Sequence, residues 1–489
     1  MYRLLVLVAL VAPACKKDTD DGASNPACAK AKQEGPIAWI EDDYPAALAC
    51  ATARKVPLVL DLWAPWCHTC LSMKSTVFMD PSLKKDARRF VFASFDTDRE
   101  GNAPIVAKFP LSAWPTFYVI GTDETVLARF VGAASLVQLH AFLDAGAKAG
   151  VGVEGADKHL LAAERAIARK DLATAETELS AALSSAPTGW VRKPDALGSL
   201  LNTLRKRGDL EGCLDLAEAS MDQTGNAASA TDFIGTAIEC ANQYKTAPPE
   251  RIRAFGERAA TRLEAVLADP TAPLSYDDRS DAMVYLRELH DALGQKAKAV
   301  EVAEKQRALL DEASQKATSP LAAMTYIYQL ADVYAYLGRP LDAVPVLEKS
   351  ATDLPTEYDP PARLGSLYLK AGKLTEAAQW TDKAIALSYG PRKARVLSQR
   401  AEIAAKQGDA AGERTYRTQV VAMWELLPTG HANEESLEKA KAALAKLDAP
   451  AAGSAATGSG SAGSASTGSA GPGSPATGSG ATAAVPASN

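Results

Sequence analysis

At 489 residues the chain is too long for a single hydrophobic core, and at roughly 150 residues per domain it divides into two or three. A hydrophobic fraction of 47% with 23% charged residues speaks against both a wholly disordered chain and a polytopic membrane protein. Lys+Arg at 53 against Asp+Glu at 59, a net charge of −6, argues against a nucleic-acid partner.

The chain opens with one positive charge, Arg3, and an apolar run from Leu4 to Val11 that is much too short to span a bilayer. Residues 1–14 therefore read as a signal peptide. Ala12-Pro13-Ala14 meets the small-x-small rule for cleavage, and Cys15 follows, ahead of Lys16, Lys17 and a polar tether expected over residues 15–35. This resembles a bacterial lipoprotein signal. The resemblance implies a lipid on Cys15, membrane contact through that lipid alone, and a periplasmic protein that Lys16 assigns to the outer membrane. Ala12 and Pro13 depart from the usual cleavage box, and plain secretion with Cys15 as a leftover thiol is the alternative. Either route exports the chain to a compartment where disulfides form.

Over residues 36–150 strand and helix patterns alternate, the signature of an α/β layer structure. Pro36 to Ile40 reads as a strand and Tyr44 to Arg54 as an Ala-rich helix. Val56 to Leu62 is a near-continuous apolar run, as a strand buried on both faces requires. Cys67-His68-Thr69-Cys70 stands at its carboxyl end, and a helix follows to about Met79. A further turn begins at Pro81. Phe90 to Phe95 (strand), Asn102 to Phe109 (helix), a hairpin of Thr116 to Ile120 and Thr125 to Val131 across Gly121-Thr122-Asp123-Glu124, and a helix from Ser135 to Ala147 complete the order βαβαβαββα.

That order, Trp66-Cys67-His68-Thr69-Cys70 at a strand-to-helix junction, Asp61 six residues before Cys67, and Trp114-Pro115-Thr116 ahead of a strand together resemble thioredoxin. Met73 to Pro81 and Asp96-Thr97-Asp98 are similar to the C-terminal domain of the disulfide reductase DsbD and its relatives. Placement at the first turn of a helix lowers a cysteine pKa from about 8.5 into the ~3.5–7.5 range. Cys67 is thus the expected nucleophile and Cys70, one turn on, the resolving thiol. His68 and Thr69 between them are expected to tune the potential, and Trp66 to pack at the rim. By resemblance, Asp61 is a buried carboxylate beneath Cys70 that exchanges its proton, and Pro115 is cis in a loop that meets substrate. Trp114 replaces a residue that is often small in the family; it either selects substrate or fills space. A metal site on Cys67, His68 and Cys70 lacks further ligands at zinc-like spacing. Haem attachment fails because residue 71 is Leu. No metal or other cofactor is expected.

Residues 154–448 change to long Ala/Leu periodic segments. Turns at Gly338, Gly372 and Gly408 are spaced by 34 and 36 residues. Leu364-Gly365, Tyr368, Gly372, Ala377 and Ala384 resemble the tetratricopeptide (TPR) pattern, with further copies turning at Lys170-Asp171, Gly208-Asp209 and Gly294 and an irregular pair near 229–267. About seven helix pairs and a charged cap, Glu434 to Leu447, stack into a superhelix whose groove docks a protein or peptide partner. Tyr326, Tyr328, Tyr334, Tyr336 and Tyr368 either line that groove or fill the core. Pro345 should kink its helix or delay its start. Cys213 and Cys240 lie 13 and 14 residues from a turn near 226, so antiparallel helices set them level, as a disulfide or as two buried thiols. Cys28 and Cys50, the remaining pair, are expected to bond to each other; Cys28 attacking the active site is the alternative. Residues 449–489 carry no charge and read as a disordered Ala/Gly/Ser/Thr tail.

The combination predicts an exported thiol–disulfide oxidoreductase, a disulfide reductase serving cell redox homeostasis, that acts on protein disulfides and dithiols. The rival is a non-catalytic TPR scaffold for envelope assembly with a thioredoxin-like binding module.

Overall fold

The computed structural model describes residues 25–150 and 152–448. The expected signal peptide, Cys15 and the tail 449–489 lie outside the described residues. No helix among the described residues is long and apolar enough to cross a membrane.

The α/β part is a six-stranded mixed sheet. Lys32–Glu34 (β1) and Ile37–Glu41 (β2) form an antiparallel hairpin, and Leu58–Trp63 (β3), Val91–Asp96 (β4), Thr116–Ile120 (β5) and Val126–Val131 (β6) complete the order β1-β2-β4-β3-β5-β6. β3 runs parallel to β4 and antiparallel to β5. Helices Tyr44–Arg54 (α1), His68–Ser75 (α2), Lys84–Arg89 (α3), Ala103–Lys108 (α4) and Leu136–Ala149 (α5) connect and cover the strands. Alternation along the strands builds two apolar layers. Ile37, Trp39, Val59, Phe92, Phe117 and Phe130 pack with Phe142 of α5 on one side, and Ile40, Leu58, Leu60, Leu62, Phe95 and Tyr118 pack with α1 on the other. The helix expected to run to Met79 ends at Ser75, and a separate 3-10 turn spans Val77–Met79.

The expected tether ends sooner than residue 35. Asn25 caps a 3-10 turn over Pro26–Cys28, and β1 joins the sheet edge. The physical reason is covalent: Cys28 is disulfide-bonded to Cys50 of α1, which holds a segment with little apolar surface of its own against the domain.

The helical part is a run of antiparallel hairpins. Gly155–Ala168 (α6) pairs with Leu172–Ser185 (α7), Lys193–Arg207 (α8) with Leu210–Ser220 (α9), and Ala228–Gln243 (α10) precedes Pro249–Ala268 (α11). Tyr276–Ala292 (α12) pairs with Lys296–Lys316 (α13), and the broken helix Pro320–Met324 (α14) and Ile327–Tyr336 (α15) with Val344–Asp353 (α16). Asp359–Lys370 (α17) with Leu374–Leu387 (α18), Gly390–Gln407 (α19) with Ala410–Leu426 (α20), and a last helix, Glu434–Ala445 (α21), end the described array. The expected turn residues Lys170, Gly208, Gly294, Gly338, Gly372 and Gly408 all hold φ between 61° and 77°, the left-handed conformation that ends a helix and starts the return. Pro345 falls in the first turn of α16 after a 3-10 turn over Pro340–Ala343, so it delays the helix and does not kink it. Tyr334 is buried, and Tyr326, Tyr336 and Tyr368 pack against the same core; Tyr328 has another neighbour, described below.

Cys213 of α9 and Cys240 of α10 are bonded across the antiparallel pair, fully buried in the largest array core. They close a loop of 27 residues. Restricting such a loop in the unfolded chain is worth about 3–4 kcal/mol. Replacing both cysteines with serine should lower stability in chemical denaturation by about that amount, measured against the unaltered chain in oxidising buffer.

Candidate active site

β3 ends at Trp63, and the chain turns through Ala64-Pro65-Trp66 into α2, whose N-cap is Cys67. The Cys70 backbone N–H donates to Cys67 Sγ at 3.0 Å, and the Cys67 N–H donates to the Ala64 carbonyl at 3.0 Å. The first turn of a helix has unpaired N–H groups and the positive end of the dipole, so this position favours negative charge on sulfur. Cys67 and Cys70 are bonded to each other, and they are 4% and 2% exposed.

Trp63, Trp66 and Trp114 enclose the pair. The Trp114–Pro115 peptide is cis. Trp114 donates from Nε1 to Thr97 Oγ1 at 2.7 Å and meets Trp66 edge-on with 5.0 Å between ring centroids. Trp114 fills space against Trp66, and its ring also lines a cavity.

Asp61, in the middle of β3, is 2% exposed and accepts a hydrogen bond from Ser94 Oγ at 3.1 Å. Burial pushes its carboxyl up to about 6, against the opposing pull of Lys74 and Ser94. Lys74 follows Cys70 by one helical turn on the same face of α2, and its ammonium lies 3.3 Å from the Trp63 ring centroid. That cation ties the Cys70 face of α2 to the Asp61 carboxylate.

His68 faces the helical array. Its Nδ1 lies 3.0 Å from Asp277 Oδ1, its Nε2 3.9 Å from Asp281 Oδ1, and its ring stacks on Tyr328 at 5.6 Å. Burial would lower the imidazole pKa, but Asp277 and Asp281 outweigh it and raise it to about 10. At neutral pH His68, directly after Cys67, therefore carries a positive charge. His68, Asp277 and Asp281 offer three potential metal ligands within 4.8 Å of one another, yet their polar atoms are engaged with each other and with Gln329. The cluster is an ion-pair network.

A second set of array contacts covers Asp96-Thr97-Asp98. Trp66 Nε1 and the Tyr358 hydroxyl both donate to Asp98 Oδ2, at 2.8 and 2.7 Å, and the Tyr389 hydroxyl donates to Asp96. The Arg392 guanidinium lies 5.0 Å from the Trp66 ring centroid. Gly390, at φ 53°, abuts the Asp98 carbonyl so closely that an added Cβ would fall 1.9 Å from its oxygen. Burial raises the Asp96 carboxyl to about 7, with the Tyr389 bond opposing.

The structure brings Cys67, Cys70, Trp66, His68, Thr69 and Trp114 together, with Pro115 at the end of the adjoining loop. It adds Asp277, Asp281, Tyr328, Tyr358, Tyr389 and Arg392, which sequence reasoning did not place at the site. Tyr328 was legible only as one of several tyrosines, and the others have no local signal. Cys28 and Cys50 stand apart, bonded to each other, as do Cys213 and Cys240.

Beside Thr69 and Trp114 a partly enclosed cavity of about 590 Å³ separates the 110–115 loop and the end of β6 from α8, α10 and α12. Both halves of the molecule line it.

In the oxidised protein no thiol of the pair titrates, which isolates the Asp61 carboxyl. Its carbon NMR signal should titrate near pH 6, and Ser94→Ala, which removes a bond to the carboxylate, should move that midpoint upward.

Residues 39–118 match the family model for thioredoxin-like proteins. Over 89 residues the chain is 34% identical to Thioredoxin C-3 of Corynebacterium nephridii, an alignment that covers 18% of this chain and 57% of that protein. The chain thus spans little more than half the length of this curated relative. Among solved structures, a tetratricopeptide repeat protein from Parabacteroides merdae overlaps with a TM-score of 0.39 at 15% identity, covering 60% of this chain and 99% of that one. A TPR protein from Thermus thermophilus overlaps with a TM-score of 0.29 at 20% identity, covering 44% and 99%. The repeat character of the array rests on its own hairpins and turn residues. The chain is a thioredoxin-like domain fused to a TPR-like helical array.

Proposed function

We propose that the chain is an exported thiol–disulfide oxidoreductase, acting as a disulfide reductase through Cys67 and Cys70, with the helical array docking its partner or client. The periplasmic location and a lipid on Cys15 belong to the same proposal and rest on the N-terminal sequence. The observation that carries the activity is Cys67 as the N-cap of α2, its sulfur accepting the Cys70 N–H beside a protonated His68.

In the reduced enzyme the Cys67 thiolate, favoured by the helix N-terminus and the His68 cation, attacks one sulfur of a substrate disulfide. A bond forms between Cys67 and that sulfur, and the other substrate sulfur leaves as a thiolate and takes a proton. Cys70 then gives its proton to the Asp61 carboxylate and attacks Cys67 Sγ, which expels the second substrate thiol. The substrate gains two electrons, and the pair ends as the disulfide seen here. A dithiol donor must restore it. A carboxyl near 6 accepts the Cys70 proton at neutral pH and returns it easily.

One observation favours the scaffold reading: Cys67 is only 4% exposed, with Trp63, Trp66 and Trp114 packed against the pair. In the full chain, Cys70→Ser should accumulate mixed disulfides through Cys67. Their absence, together with no reduction of insulin disulfides by the unaltered protein, would sink the enzymatic reading, and partners retained by a Cys67→Ala, Cys70→Ala variant without phenotype would install the scaffold.

Asp61 is ionised above about pH 6, so the resolution step should speed up as pH rises through that value. Asp61→Asn should abolish the inflection and slow resolution at pH 7 by about 10²-fold or more, read by quenched-flow trapping of the mixed disulfide.

A further inference from the structure

The cavity beside Thr69 and Trp114 has an unbalanced charge on the wall built by the loop before Pro115. Arg129 of β6 and Lys206 of α8 converge on one hydroxyl: Arg129 Nη2 donates to Ser112 Oγ at 2.6 Å and Lys206 Nζ donates to it at 3.2 Å. Arg129 also donates from Nε to the Tyr118 hydroxyl at 3.1 Å and is 4% exposed. Among the described residues neither cation is ion-paired. Glu164, which also feels Arg129, and Asp195 share the guanidinium of Arg192, at 2.9 and 2.8 Å, and Glu239 pairs with Arg205 at 3.1 Å.

Asp232 is the remaining carboxyl in the cavity wall, next to Gly132 at the end of β6. Burial, with Asp281 and Asp278, pushes it up to about 8, so it is mostly neutral at pH 7 and offsets neither cation. Lys206 keeps an exposed side chain, and loss of part of its hydration with Arg129 and Arg205 nearby pulls its ammonium down to about 8. Two like charges held on a hydroxyl, three residues before Pro115 and with no described carboxylate within ion-pair distance of either, are a preformed anion position.

We propose that this cavity is the substrate subsite of the Cys67–Cys70 pair and that Arg129 and Lys206 hold a carboxylate of a low-molecular-weight disulfide. The volume, about 590 Å³, lies within the ~300–1,000 Å³ of small-molecule sites and excludes a folded domain. A carboxylate at Ser112 places the rest of such a molecule along Trp114 toward Thr69, which stands between the two cysteines in the chain. Arg129 and Lys206 act by orienting the substrate; electrons pass only between sulfurs, as in the steps above. The inference rests on the reductase reading of Cys67 and Cys70, which it deepens by assigning a substrate class.

The full-length protein, reduced by a dithiol, is assayed with dithiodipropionate, which carries a carboxylate at each end, and with the neutral bis(hydroxyethyl) disulfide. The unaltered protein should prefer the carboxylated probe. Lys206→Gln and Lys206→Glu should reduce kcat/KM for it by about 10-fold or more, the size of a lost charge-assisted contact, and leave the neutral probe unchanged. Equal losses on both probes, or no loss on either, overturn the subsite. Binding separates this inference from the activity: the oxidised protein, which cannot exchange, should bind dithiodipropionate in calorimetry, and Lys206→Glu should abolish the heat. That result without turnover would remove the reductase reading and keep the subsite. No binding, or binding indifferent to Lys206→Glu, overturns the subsite whatever the turnover.

Discussion

Leu71 and Met73 lie two positions apart on α2, about 200° around the helix, and so point in opposite directions. Met73 is buried in the core between the sheet and α5, whereas Leu71 is buried in the core of the array with Leu310, Met324 and Ile327. One eight-residue helix therefore belongs to two hydrophobic cores at once. Burying a leucine is worth about 1.5–3 kcal/mol, and here that energy holds the redox helix against α12, α14 and α15. The other features of the site follow from this contact. His68 meets Asp277 and Tyr328 because Leu71 is anchored one helical turn further on.

The electrostatics follow from the same burial. Packing the array over the carboxyl end of β4 removes Asp96 and Asp98 from water, Asp61 is buried in the middle of β3, and the three carboxyls all rise. Each is kept in place by hydroxyl or indole donors: Ser94 on Asp61, Tyr389 on Asp96, Tyr358 and Trp66 on Asp98. Burial outweighs these donors at all three acids, and at Asp96 it also outweighs Arg99, whose Nε lies 3.3 Å from Oδ2. His68 is the opposite case, a cation maintained by two array carboxylates.

Much of this was legible from residues alone. Tyr44–Arg54 was legible as an Ala-rich helix, and three turns of the array as glycines 34 and 36 residues apart. Trp66 through Cys70 announced its own chemistry. What could not be read was the meeting of the two halves. His68 and Asp277 are 209 residues apart, Asp98 and Tyr358 260, Asp96 and Tyr389 293, and helix or strand periodicity relates only near neighbours. Arg129 and Lys206 escaped for a related reason, since each looks ordinary in its own element and matters only where β6 faces α8. The hairpin at the sheet edge was missed because β1 is wholly exposed and is held by a disulfide and backbone bonds, not by an apolar pattern.

Gly390 touches the carbonyl of Asp98, and Gly430 touches the carbonyl of Ala103 in the same way, with an added Cβ falling 2.2 Å from that oxygen. Backbone against backbone leaves no side chain to yield, so at these two points the seating of the halves depends on the path of the main chain and on glycine at 390 and 430. Modularity is thereby limited. A chimera carrying another thioredoxin-like domain would keep the Cys-x-x-Cys chemistry easily, but it would fit this array only if its own segment after the central strands traced the same curve as residues 96–103.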